Sequence, residues 1–430
     1  MKISTEDVHY LCFEGGGGKG PIYLGGLKAL GELGILRYKK KELGSAPKAN
    51  EVFRLDPESI HGVAGTSIGS LAALLVATGY TPDEMEEVLS GDYGINTLDK
   101  VDYGKVPTVF TPENPRYVIE KEEIPEDKEL FDEYWKKHIL EEKFSLKHLL
   151  RVPGKALNQA GKKIITYVLR WYFGQKLKKD NQSPEDSDNP SEKDTMQIAT
   201  SKLLETTESL NSFKYDLGFF LSEFSRELAD SIIEKKSGIT NCTFQQFYDE
   251  FKIDLVVTGF DISKKQTLFF RNDEQWKNLC VADALRMSIS IPFIFKPVYL
   301  SYQEGKISPV KNDLADASLI VDGGLGANFP LHVFDETQSR TSTLNSHMLG
   351  FRFKKELRSN DEDLTIGSYA GTIFSALLGQ TSELQIRSPA EQEQVIDLEH
   401  EEVDVLDFFY SEMTKKYVEK AYIATMKYFE

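Results

Sequence analysis

The chain has 430 residues and a formal net charge of −17 at pH 7, with 51 Lys and Arg against 68 Asp and Glu. That excess of negative charge argues against nucleic acid as the main partner, and the length allows one large domain with insertions or two domains. Its three cysteines, Cys12, Cys242 and Cys280, are too far apart for a disulfide framework or a zinc site; no signal-peptide core opens the sequence, and no apolar run is long enough to span a bilayer.

Val8-His9-Tyr10-Leu11-Cys12-Phe13 is a compact apolar run and predicts a first strand. Glu14-Gly15-Gly16-Gly17-Gly18-Lys19-Gly20 follows, and residues 22–30 then have helical character. Four successive glycines leave backbone N–H groups free to point at an anion, either a phosphate or a tetrahedral oxyanion. A Walker loop needs Gly, four residues, then Gly-Lys-Ser/Thr; here Phe13 takes the first position and Gly20 follows the lysine. Gly15, Gly17 and Gly20 also fit a dinucleotide fingerprint, which calls for an acidic residue after a second strand. Glu42 has about the right spacing but follows Lys39, Lys40 and Lys41 rather than an apolar strand. The oxyanion assignment therefore leads, with nucleotide binding as the alternative.

Ile60-His61-Gly62-Val63-Ala64 is β-leaning, Gly65-Thr66-Ser67-Ile68-Gly69 matches G-x-S-x-G, and residues 71–77 form an apolar helix former. A strand, a sharp turn and a helix in that order put the Ser67 hydroxyl at the turn tip. Alone the pentapeptide is a weak signal, since a Gly/Ser turn before a buried helix has the same pattern.

Residues 112–143 are rich in Glu, Lys and Pro and predict surface helices with a loop. From Lys143 to Lys179 the charge reverses, with ten basic residues and no acidic one. Inside that stretch Tyr167, Trp171, Tyr172 and Phe173 accompany Lys162, Lys163 and Arg170. A basic helix with aromatics suits an anionic membrane surface; a cap helix with solvated lysines has the same pattern. Residues 176–197 are polar and predict a linker, and residues 201–236 return to a helical pattern.

Residues 253–260 predict a buried strand, with Thr267-Leu268-Phe269-Phe270 as its partner. Leu319-Ile320-Val321 is an apolar strand that ends in Asp322-Gly323-Gly324. A carboxylate at a strand end suits a general base beside a nucleophile, although an ordinary Asp-Gly turn looks alike. Met348–Phe353 predicts a further strand. Near the C-terminus Met413, Tyr417, Ala421, Ala424 and Tyr428 recur at helical spacing and predict a core-packing face.

Taken in order, the glycine loop, the G-x-S-x-G turn and Asp322-Gly323-Gly324 resemble the patatin-like phospholipase family, including its bacterial effector-type members. That family carries a Gly-rich oxyanion loop ending in a basic residue and Gly, then G-x-S-x-G, then D-G-G/A. Ala282–Pro292 is similar to the family's helix and Pro turn before the acid strand, and Asn328-Phe329-Pro330 to its Asn-x-Pro turn after it. The resemblance covers roughly residues 8–105 and 245–355. Glu14 departs from the family's more usual Asp or apolar residue and is expected to matter little.

The resemblance implies an α/β protein: a three-layer α/β/α fold with a mainly parallel central sheet, a helical cap insertion and C-terminal helices. The implied division is a catalytic core over 1–105 and 241–360, a cap over 106–240 and a C-terminal extension over 361–430. It implies a Ser67–Asp322 dyad with no catalytic histidine and an oxyanion hole at Gly16, Gly17 and Gly18, supported by Gly15, Lys19, Gly20, Gly65, Gly69 and Gly323. A triad using His332 or His400 is the alternative, as in an α/β-hydrolase. The implied activity is phospholipase A-type acyl hydrolysis with no cofactor and no metal. Transacylation, or a silent lipid- or protein-binding module on the same scaffold, stands beside it. The expected partner is a phospholipid membrane surface, met peripherally through Lys162, Lys163, Arg170 and Trp171, and the large cap leaves room for an activating host protein. The expected location is cytoplasmic, or secreted without a cleaved signal peptide, as for an effector delivered into a host cell.

Overall fold

The computed structural model describes residues 2–43, 50–90, 218–220, 223–308, 314, 316–336, 343–354, 376–401, 403 and 412–430. By compactness the chain divides into one unit of 1–100, 220–363 and 370–430 and a second of 101–219 and 364–369. Apart from Gly218 and Phe219, the second unit lies outside the described residues. So do the expected surface helices over 112–143, the linker near 176–197 and the basic stretch with Lys162, Lys163, Arg170 and Trp171.

In chain order the strands are β1 (Tyr10–Phe13), β2 (Tyr38–Leu43), β3 (Asn50–Leu55), β4 (Gly62–Gly65), β5 (Gly218–Phe220), β6 (Asp254–Asp261) and β7 (Gln266–Phe270). They continue with β8 (Phe293–Phe295), β9 (Val298–Ser301), β10 (Lys306–Ser308), β11 (Ala317–Asp322), β12 (Met348–Phe353) and β13 (Val395–Leu398). The long helices are α1 (Tyr23–Glu32), α2 (Ile68–Ala77), α3 (Pro82–Ser90), α4 (Glu223–Ser237), α5 (Phe244–Phe251), α6 (Val281–Ile289) and α7 (Glu412–Phe429).

A nine-stranded sheet forms the centre in the order β10-β9-β11-β6-β4-β1-β12-β13, with β7 also paired to β6. The strands from β6 through β13 run parallel, whereas β7 and β11 run antiparallel to β6. The fold is the α/β architecture implied by the sequence.

The pairing of β6 brings two distant segments together. Val257 pairs with both Gly65 of β4 and Phe270 of β7, so β4 and β7 lie on opposite edges of β6. Gly259 pairs with both Leu268 of β7 and Asp322 of β11, so β11 shares the edge used by β4. Parallel β4 runs up that edge to Val257 and antiparallel β11 runs down it to Gly259. The C-terminal ends of β4 and β11 therefore meet head to head, and Ser67 and Asp322 follow from those ends.

Side-chain alternation along the strands sorts the core into two faces. Leu11, Phe13, Val63, Leu255, Val257, Leu349 and Phe351 join the main cluster, which α1, α2 and α6 also enter. Cys12, Ala64, Val256 and Met348 point the other way, under Phe329, Leu331 and Val333. Every residue of α2 is buried, matching its apolar run from Leu71 to Ala77.

Three points of the structure adjust or add to what the sequence predicts. The lysine run does form a strand, β2, but it pairs only with β3 in a separate two-stranded sheet. The parallel strand that a dinucleotide site would need after α1 is thus not built from it. Strands β9, β10 and β13 are short and carry little pattern of their own. The buried stripe of α7 is Thr414, Tyr417, Val418, Ala421 and Thr425, while Ala424 and Tyr428 are only half-buried.

Candidate active site

Ser67 sits where β4 gives way to α2, with φ 53° and ψ −125°. A positive φ at a non-glycine residue costs on the order of 1–3 kcal/mol and persists only where the surroundings enforce it. Here the two flanking glycines do so. A Cβ on Gly65 would fall 2.1 Å from the Gly69 carbonyl oxygen, and one on Gly69 would fall 2.5 Å from the carbonyl oxygens of both Phe13 and Glu14. Around the turn, Thr66 donates to the Ala327 carbonyl at 2.8 Å, and the Ser67 N–H donates to Ser288 Oγ at 2.9 Å.

Asp322 ends β11 and is 2% exposed, so almost no water reaches its carboxyl. Burial pushes it up to about 7, opposed by the nearby Ser67 hydroxyl and by the hydrogen bond from the Gly324 N–H. The Gly324 bond is 2.8 Å long. The structure thus brings the Ser67 hydroxyl to the Asp322 carboxyl, across more than half the chain. Both are also tied to the end of α6: Ser288 takes the Ser67 N–H, and the Ser290 carbonyl takes the Asp322 N–H at 2.9 Å. Ser288 and Ser290 are fully buried, and neither stood out as functional in the sequence. Their only signal was membership of the stretch before the Pro292 turn.

The glycine loop enters a 3₁₀ turn over Gly17–Ile22. The Gly15 N–H is used, donating to the Asn328 carbonyl at 2.8 Å. The turn's first internal bond runs from the Lys19 N–H to the Gly16 carbonyl, so the N–H groups of Gly17 and Gly18 lie ahead of the ladder. Gly17 has φ 54°, which an L side chain rarely adopts. Gly16, Gly20 and Gly323 abut the Phe353 ring, the Ile68 side chain and Thr258 closely enough that a Cβ would collide. Lys19 reaches His400 Nε2 at 3.4 Å and lies over the Phe353 ring, which places it as a loop anchor in this structure.

The histidines of the triad alternative are engaged elsewhere. His332 meets Asp335 Oδ2 and the Gln385 carbonyl, each at 2.7 Å, through its two ring nitrogens. His400 Nε2 faces the Lys354 carbonyl at 2.9 Å.

Glu14, expected to matter little, is instead a fully buried junction. Its carboxylate accepts from the Phe353 N–H at 2.6 Å, from Asn328 Nδ2 at 3.3 Å and from the Ser382 hydroxyl. Burial pushes it up to about 7, against the hydrogen bonds from Ser382 and Phe353 and the charges of Lys19 and Arg352. Sequence reading missed it because its partners lie more than 300 residues away. Among the described residues, no cluster of His, Cys, Asp and Glu could hold a metal ion, and no helix is long and apolar enough to cross a membrane.

A mainly parallel α/β sheet, a serine on a strained strand-to-helix turn and a glycine loop beside it place the chain in the class of α/β proteins that carry a serine elbow beside a glycine-rich loop. The chain belongs to the patatin-like phospholipase family, a family of lipid hydrolases, whose model matches residues 11–335. The uncharacterized protein R571 of Acanthamoeba polyphaga mimivirus is 28% identical over 124 residues, or 29% of this chain and 35% of that one. The match thus spans about a third of that relative's length. Among solved structures, VipD from Legionella pneumophila is 14% identical with a TM-score of 0.40, covering 98% of this chain and 67% of its own. ExoU of the Pseudomonas aeruginosa type III secretion system, in its heterodimer with SpcU, is 15% identical with a TM-score of 0.36, covering 99% and 52%.

Proposed function

We propose that the protein is a phospholipase A-type lipid acyl hydrolase in which Ser67 is the nucleophile and Asp322 its base. The observation that carries this is the Asp322 carboxyl, buried beside a Ser67 held at positive φ and close enough to be influenced by its hydroxyl. In the first step Asp322 takes the Ser67 proton as Oγ attacks the ester carbonyl. The tetrahedral oxyanion lies against the N–H groups of Gly17 and Gly18, with Gly16 completing the loop. Asp322 then returns the proton to the leaving alcohol and an acyl-serine remains. Water, deprotonated by Asp322, cleaves that ester, frees the fatty acid and restores the serine.

A carboxylate near its ordinary value of ~4 would be a weak base for an alcohol. Burial of Asp322 narrows that gap, and the oxyanion donors supply the remainder of the stabilisation. Substrate is expected to come from a phospholipid surface, with the basic stretch of Lys143–Lys179 as the segment that meets it. Wild type, Ser67→Ala and Asp322→Asn should be compared on phospholipid vesicles by lipid-product profiling, with and without an alcohol acceptor. Both variants are expected to lose product formation. Activity in either equal to wild type overturns the dyad, and acyl transfer to the added alcohol in place of free acid identifies a transacylase.

A further inference from the structure

Three side chains from distant parts of the chain converge behind the glycine loop. Glu14 opens the loop, Asn328 follows the acid, and Ser382 lies in the helical residues 376–383, beyond the stretch the family model matches. Asn328 grips Gly15 twice: its carbonyl accepts the Gly15 N–H at 2.8 Å, and its Nδ2 donates to the Gly15 carbonyl at 3.1 Å. The same Nδ2 faces Glu14 Oε1 at 3.3 Å and Ser382 Oγ at 3.0 Å. Acceptors on that side dictate which end of the amide carries the NH2 group.

The amide oxygen is consequently turned towards the gap between the two loops, where among the described residues no donor reaches it. A Cβ on Gly15 would come within 2.3 Å of that oxygen and one on Gly324 within 2.8 Å. Glycine at both positions lets Asn328 wedge between the loop that presents the oxyanion donors and the loop that carries Asp322. Thr381 adds a second tie, donating to the Gly324 carbonyl at 2.9 Å. The Tyr23 hydroxyl fixes the other side of the residue by donating to the Glu14 carbonyl at 2.5 Å.

We infer that Glu14 is a positioning residue for the oxyanion loop: through Asn328 and Ser382 its carboxylate sets where the Gly17 and Gly18 N–H groups point relative to Ser67. The inference rests on the dyad proposed above. The carboxylate takes three donors on two oxygens and is suited to the task only when ionised, since a proton would put a fourth donor among them. The titratable and charged groups around it are Cys12 on β1, Lys19 in the 3₁₀ turn, Tyr23 on α1 and Arg352 on β12. Arg352 is itself paired with Asp397 at 2.7 Å and lies 3.7 Å from Glu383.

Glu14→Gln tests this in the full chain. A carboxamide has a single oxygen, so at least one of the three donors loses its acceptor. On a soluble short-chain ester kcat is expected to fall about tenfold to a hundredfold, as for a misplaced catalytic group, with KM unchanged. The acid limb of log kcat against pH is expected to drop from a slope of two, for Glu14 and Asp322 together, to a slope of one. Amide exchange over residues 13–20 is expected to speed up. Ser382→Ala removes one donor without touching the loop and is expected to move kcat and exchange in the same direction by less; it serves if Glu14→Gln does not fold. Wild-type kcat in Glu14→Gln, or unchanged exchange over 13–20, overturns the inference. A wild-type protein without Ser67-dependent hydrolysis defeats the dyad alone, and exchange over 13–20 still decides the role of Glu14.

Discussion

Asp322 works against the stability of the fold it belongs to. Burial holds its folded-state value near 7, above the ~4 of an unfolded carboxyl. Below pH ~4 both states hold the proton; between there and about 7 the unfolded chain releases it first, so stability falls as pH rises and then levels off. Asp322→Asn cannot ionise and still offers an oxygen to the Gly324 N–H. It is expected to melt higher than wild type at pH 8, by about 1 kcal/mol, while losing activity; calorimetry with a paired ester assay checks both. For the wild type, kcat is expected to decline as pH drops through about 7, where Asp322 takes up its proton and ceases to act as a base. A pH–rate profile flat from 5 to 8 would contradict that role. Ser67→Ala removes the nucleophile and is expected to leave less than about a thousandth of the wild-type kcat.

Among the elements, α1 and α7 show how little clearance the packing allows. A Cβ on Gly25 of α1 would fall 1.8 Å from the Val418 carbonyl oxygen of α7. Gly25→Ala is therefore expected to pry the helices apart at a cost of about 1–3 kcal/mol, read from the denaturant midpoint. The loss should reach the glycine loop, because α7 also packs on the 3₁₀ turn that follows it. At α5, Thr243 and Gln246 form a reciprocal capping box. Thr243→Ala is expected to cost about 1 kcal/mol, with no effect on ester hydrolysis. These elements differed in how plainly the sequence announced them. The apolar runs of β1, β6 and β12 and the apolar helix α2 were legible because they are buried on both faces. The β2–β3 pair was not, because its basic side chains go to solvent and to ion pairs such as Lys41–Glu250 and the buried Arg54–Glu250 rather than to an apolar core.

For the molecule as a whole, the family match ends at residue 335 but the central sheet does not. β12 pairs directly with β1, and β13 completes that side. A chain cut after 335 would lose both strands, leave the edge of β1 unpaired and strip Phe353 and Ser382 from Glu14. It is expected not to fold cooperatively, as judged by circular dichroism and protease resistance. At the same scale, neutralising Lys162, Lys163 and Arg170 is expected to weaken binding to anionic liposomes while sparing hydrolysis of a soluble ester; undiminished sedimentation with the liposomes would remove that segment from membrane docking.

The sequence by itself determined the local chemistry: which serine stands on a strand-to-helix turn, which glycines expose backbone donors, and which aspartate ends a buried strand. Each depends on neighbours a few residues away, so the pattern is written in consecutive letters. The tertiary structure decided what those groups are worth. Pairing β4 and β11 on one edge of β6 brings Ser67 to Asp322, and burial then raises the basicity of Asp322. Ser288, Asn328 and Ser382 reach the site across hundreds of residues; family-like stretches around Ser288 and Asn328 marked those segments but not these contacts, and nothing near Ser382 marks it. Glu14 shows the difference best: in sequence it is one letter before a glycine run, and only the packing around it reveals a buried carboxylate with three donors.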